Sequence, residues 1–216
     1  MRAYSELYID ELQDNMGEMT DYVIEQCGVS PQEFWDRFLS SRVPGEIERG
    51  NPDYLVGKSG AELAHIVLGD TGYRRDAWSD YVWTNPGRSY WTGWALAYLQ
   101  WYTGLSFKDL TEYGYGAAQL AGMYNPYHEA DISRFVEDVS GSLRERMCHE
   151  PSRLKKYRLY AGITQKELSA RTGVKLRMIQ AYEQKYQDIS KAEVGSLIAL
   201  SAALHCSPAD LVPPIW

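Results

Sequence analysis

Apolar residues recur along this chain at helical spacing, and runs with the two-residue alternation of a strand are nearly absent. Leu7, Leu12, Met16, Met19 and Val23 predict a long first helix that Gly28 ends. Ser30 and Pro31 supply a cap and a first-turn proline for a helix through Phe34, Trp35 and Phe38. Residues 43–58 contain Pro44, Gly45, Gly50, Pro52 and Gly57, and read as an ordered loop or short turns. Ser59 and Glu62 stand at the spacing of a capping box and predict a helix toward Val67.

Residues 72–88 form a polar, aromatic-rich connection whose pattern names no element. Ser89 then predicts the cap of a helix with Trp91, Trp94, Tyr98 and Trp101 or Tyr102 on one face and Leu96 and Leu99 on the other. A helix apolar nearly all round belongs in the middle of its domain. Ser106 predicts a short helix through Leu110, Gly114 and Gly116 punctuate, and a last long helix is expected over residues 127–147. Pro151, within His149-Glu150-Pro151-Ser152, stops that helix and marks a domain boundary.

Charge sharpens the boundary. From Arg153 onward there are ten basic and five acidic residues, a balance of +5; of the chain's 22 basic and 29 acidic residues this leaves 12 and 24 before it, a balance of −12. The fold expected is therefore all-α: an acidic helical domain over residues 1–150 and a basic domain over residues 151–216. A basic domain suits a polyanion, and an acidic one is repelled by phosphates and should face away from them.

Cys27, Cys148 and Cys206 are odd in number and form no C-x-x-C pair, the usage of a reducing cytosol. The first residues are acidic and amphipathic, unlike a secretory signal. The most apolar stretch, residues 90–102, is shorter than the roughly 20 residues needed to span a bilayer. The expectation is a soluble cytoplasmic protein with no membrane partner.

The segment RLKKYRLYAGITQKELSARTGVKLRMIQAYEQ carries the most chemistry. A first helix includes Leu154, Tyr157 and Arg158 and ends at Gly162. Thr164 caps a second helix, with Gln165 in its first turn and Glu167 completing the capping box. Leu168 and Ala170 are expected to face inward, Gly173 to permit a tight turn, and Val174 to plug the joint. A third helix over residues 175–184 then packs on Ile179 and Tyr182. Two short helices fixed at a steep angle leave the exposed side of the second free to enter a major groove.

With T-Q-x-E-L, G-V and I-x-x-Y-E at these spacings, residues 152–213 resemble the lambda-repressor/Cro-like (XRE-type) helix-turn-helix family, and SKAEVGSLIALSAALHCSPADLV is similar to that family's last two helices. The resemblance implies a five-helix domain that binds double-stranded DNA. It implies that Thr164 and Gln165 approach the phosphate backbone, with Gln165 also reaching an edge base. It places Lys175, Leu176, Arg177, Gln180 and Ala181 on the exposed face of the recognition helix, with Arg177 suited to guanine and Gln180 to adenine or phosphate. Gln184 and Lys185 follow as phosphate contacts, while Arg158 and Glu183 take the family's structural ion pair. The chain departs from the pattern at Lys185, where most relatives have glycine, so an altered left-handed turn is expected there. Leu176 and Met178 also make the recognition helix more apolar than usual.

The residues before 153 hold 23 of the 28 aromatic side chains, which read as a helical core more readily than as a ligand pocket. YLVGKSGAEL and YWTGWALAYLQWYTG resemble segments of uncharacterised helical proteins of Firmicutes, some encoded beside toxin-like genes. Glu62 and His65 share a helix face, as do His128 and Asp131, yet a di-iron bundle needs two E-x-x-H motifs and only one is present. No P-loop or G-x-S-x-G occurs, so the sequence implies no cofactor, metal or catalytic site. The leading expectation is a sequence-specific transcriptional regulator, a repressor and homodimer, whose first domain dimerises and senses a small ligand or binds a partner. The alternative is an antitoxin that neutralises a cognate toxin through that domain and autoregulates through the other.

Overall fold

The computed structural model describes residues 3–73 and 86–213, and among them every regular element is helical. In chain order the α-helices are α1 (Ile9–Asp21), α2 (Pro31–Ser40), α3 (Val43–Glu48), α4 (Pro52–Leu55), α5 (Gly60–Asp70), α6 (Arg88–Thr103), α7 (Phe107–Glu112), α8 (Ala117–Gly122), α9 (Tyr124–Tyr127) and α10 (Ile132–His149). They continue with α11 (Arg153–Tyr160), α12 (Gln165–Thr172), α13 (Leu176–Glu183), α14 (Val194–Ala203) and α15 (Pro208–Leu211). The chain divides into two compact units, one running to Arg144 and the other from Glu145 onward. The division falls within α10.

The first unit is built around α1 and α6. Ile9, Leu12, Met16 and Met19 of α1 are buried, as are Trp91, Ala95, Leu96, Leu99 and Trp101 of α6. The two backbones approach so closely that a Cβ at Gly93 would stand 2.1 Å from the carbonyl oxygen of Met16, so glycine is the residue that fits. As expected of a helix apolar on all sides, α6 lies inside its unit. Trp35 stacks on Phe38 at 5.0 Å, Phe107 meets both edge-on, and Trp91 packs against Phe135. These aromatic rings therefore fill the core. A surface cleft of about 440 Å³ is lined by polar side chains, among them Glu33, Asp36, Arg37 and Asp70, and by no aromatic one.

Several local expectations hold. Ser30 Oγ accepts the Glu33 N–H at 3.2 Å, Ser59 and Glu62 form the reciprocal capping box, and Ser106 Oγ accepts the Asp109 N–H at 2.9 Å.

Others are corrected. Leu7 is 90% exposed, because the chain enters through a 3₁₀ turn (Glu6–Tyr8) capped by Ser5, which rotates Leu7 off the buried face. Residues 43–58, expected as an ordered loop or short turns, contain the short helices α3 and α4. Pro44 and Pro52 sit in the first turns, where a missing N–H costs nothing, and Asn51 Oδ1 caps the second by accepting from Asp53 N at 3.1 Å. Ser89 is not a cap: α6 begins one residue earlier, and Ser89 Oγ donates to Glu25 Oε1 at 2.6 Å. The last long helix starts at Ile132 rather than at residue 127, after Asp131 Oδ1 accepts the Ser133 N–H at 2.8 Å; Tyr127 instead ends the separate α9, and residues 128–131 form a turn between the two. Most of the connection expected over residues 72–88 lies outside the described residues.

The second unit has its own core, formed by Leu154, Ile163, Leu168, Val174, Ile179, Tyr182, Ile189, Leu200, Leu204 and Leu211. Here the helices are short, so caps matter in proportion. Ser152, Thr164 and Ser207 each accept a backbone N–H in the first turn of the helix that follows.

Candidate nucleic-acid interface

Helix α12 starts where Thr164 Oγ1 accepts the Glu167 N–H at 3.2 Å and Glu167 Oε2 accepts the Thr164 N–H at 2.6 Å. The backbone N–H at Thr164 is the main cause that holds the Glu167 carboxyl below its usual range. The helix ends at Gly173, whose φ of +72° is the left-handed conformation glycine adopts without cost. The turn is tied from both sides. Ser169 Oγ donates to the Val174 carbonyl at 2.7 Å, and Thr172 Oγ1 accepts the Val174 N–H at 3.3 Å. Val174 is buried as expected, but Ala170 is exposed. Two residues advance a helix by about 200°, so Leu168 and Ala170 cannot share the inward face.

A buried polar network then fixes α13 against its neighbours. Arg158 of α11 is 8% exposed and Glu183 of α13 is 6% exposed. Arg158 Nε donates to Glu183 Oε1 at 2.6 Å, Nη2 donates to Oε2 at 2.9 Å, and Nη1 donates to the Ile163 carbonyl at 2.8 Å. The hydrogen bonds to Glu183 raise the guanidinium pKa further. Gln165 of α12 joins the same carboxylate, its Nε2 donating to Glu183 Oε2 at 2.7 Å. One carboxylate thus receives donors from two other helices. Its acceptor-only chemistry also orients the Gln165 amide, since the NH₂ end must face Glu183.

Thr164 lies exposed at the α12 cap, and Gln165 is half-buried beside it. Lys175 and Arg177 are exposed at the start of α13, and Leu176, Gln180 and Ala181 are half-buried along it. Met178 leans on the core and Gln184 is exposed at the helix end. The Gln165–Glu183 bond brings the start of α12 to the end of α13. Lys185 is exposed but turned elsewhere: its Nζ donates to the carbonyl oxygens of Met147 and Cys148. The left-handed turn expected to be altered is retained, with Lys185 itself at φ +58°. For a residue with a Cβ that conformation costs about 1–2 kcal/mol.

Two links escaped sequence reasoning. Gln165 to Glu183 and Lys185 to residues 147–148 span 18 and nearly 40 positions, so no local spacing encodes them. The candidate metal pairs are engaged otherwise. Glu62 closes its capping box, Tyr22 Oη lies 3.3 Å from His65 Nε2, and His128 stacks on Tyr124 at 4.2 Å. Among the described residues no three His, Cys, Asp or Glu side chains are grouped to hold a metal, and no helix is long and apolar enough to cross a membrane.

Residues 154–211 match the model of the helix-turn-helix family HTH_3. No family is assigned to the residues before them, and no catalytic family is identified. No curated protein and no solved structure matches the chain. The chain therefore carries, in its C-terminal part, a helix-turn-helix domain of the XRE/Cro/C1 type, which implies DNA binding and transcriptional regulation.

Proposed function

We propose that the chain is a sequence-specific transcriptional repressor that lays α13 in the major groove as a dimer, its first unit serving as a sensor or interaction domain. The observation that carries this reading is the three-helix network of Arg158, Glu183 and Gln165. It locks the α12–α13 angle from below while Lys175 and Arg177 remain exposed above. Lys175 and Gln184 flank the helix as phosphate contacts, Arg177 offers its fork to a guanine, and Gln180 offers an amide to adenine. Leu176 and Ala181 meet apolar base edges such as a thymine methyl. Thr164 presents a helix start to the backbone, and Gln165, held by Glu183, stands beside it. Selection of binding sites from random duplex DNA tests this. The expected result is a two-fold symmetric consensus with half-sites one helical turn apart; recovery of no consensus contradicts it.

A second reading, an antitoxin, is favoured by the exposed acidic row Asp10, Glu11 and Asp14 on α1, a surface suited to a basic protein partner. Co-purification with the product of an adjacent toxin-like gene, lost on reversing those three charges, supports this reading over a plain regulator.

A further inference from the structure

Lys185 occupies a left-handed position that glycine would fill with less strain. Its side chain reaches the last turn of α10. The final four carbonyl groups of any helix lack partners within it, and they carry the negative end of its dipole. Two residues beyond His149 stands Pro151, which has no N–H to turn back onto them. Lys185 Nζ supplies the missing donor, bonding the Met147 and Cys148 carbonyl oxygens, all within the second unit. The same residue directly follows the recognition helix and its cap, Gln184.

We propose that Lys185 is shared between two negative partners. In the free chain it caps the end of α10; in the complex a DNA phosphate draws it away, and the last turn of α10 frays. This rests on the DNA-binding reading above. A phosphate carries a full charge where the helix end carries about half of one, so the ammonium transfers once the duplex is seated. The frayed turn lies where the chain passes from one unit to the next, so occupancy of DNA is reported to the connection. By linkage, anything that frays the end of α10 frees Lys185 and tightens binding by the same factor.

Hydrogen exchange of the full chain, read over residues 145–149 with and without a short mixed-sequence duplex at low salt, tests the proposal. The duplex should speed exchange there by about two- to fivefold, the value of a helix-end charge. Lys185→Gly, which suits the left-handed turn and so keeps the fold, should show the faster exchange without DNA and no further change with it. The variant's log-log salt slope should also be smaller by about 1. A duplex that binds while exchange stays unchanged or slows overturns the proposal, as does a Lys185→Gly slope equal to wild type. A duplex that does not bind at all contradicts the DNA-binding reading instead.

Discussion

Arg158 and Glu183 form a two-pronged ion pair across 25 positions of sequence, with both side chains buried and the Arg158 Nε 2.6 Å from its acceptor. Removing one partner strands the other in the core. Arg158→Ala should destabilise the second unit by about 3–5 kcal/mol, visible as a lowered melting temperature, and leave site preference intact in the folded fraction. An unchanged melting temperature with lost binding would instead make Arg158 a DNA contact.

The α12 capping box has a pH signature. Thr164→Ala should cost about 1 kcal/mol. Because the Glu167 carboxyl is held below its ordinary value of 4.5, its contribution is fully present above that value and is lost as pH falls through the depressed one. In Glu167→Gln that titration is absent. Thermal melts between about pH 6 and pH 3 should therefore show wild type losing its advantage over the variant at the acid end; a gap that widens there contradicts the assignment.

On the proposed reading of α13, Arg177 reads a base and Lys175 contacts the backbone, and both side chains are exposed. Arg177→Ala should relax preference at a single base position by about 1–3 kcal/mol, whereas Lys175→Ala should weaken specific and random duplexes alike. Competition binding against single-base operator variants separates the two. Equal losses for both variants on all sequences remove the distinction.

How far these features were legible depended on the range of the interaction. Caps are local, so Ser30, Ser59, Ser106 and Thr164 were found from spacing alone. Leu7 misled because it sits near the apolar helical spacing, yet the chain enters through a 3₁₀ turn that puts it outside. Prolines at 44 and 52 looked like breakers because their place in a first turn shows only once the helix does. The Arg158–Glu183 pair was readable only through family resemblance. Gln165 joining it, and Lys185 reaching residues 147 and 148, depend on packing that no sequence window contains.

Dimer formation was expected of the first domain's long first and last helices; α1 is largely buried in its core with an acidic open edge, while α10 leaves much of its surface exposed. The second unit offers another apolar surface, Val194 and Ile198, one turn apart on α14 and 72% and 54% exposed. The full chain should sediment as a dimer at micromolar concentration, and Val194→Asp with Ile198→Asp should make it monomeric and weaken DNA binding. A double variant that remains dimeric returns the contact to the first unit.

The central claim is that the second unit binds a polyanionic duplex through its exposed cations, and the salt dependence of binding tests it most directly. Neutralising about four to six phosphates per domain predicts a slope of about −4 to −5 in a plot of log affinity against log salt. Fluorescence anisotropy of a labelled duplex, titrated with the full chain across a series of salt concentrations, gives the number. A slope in that range supports the account; a flat response, or no binding at low salt, contradicts it.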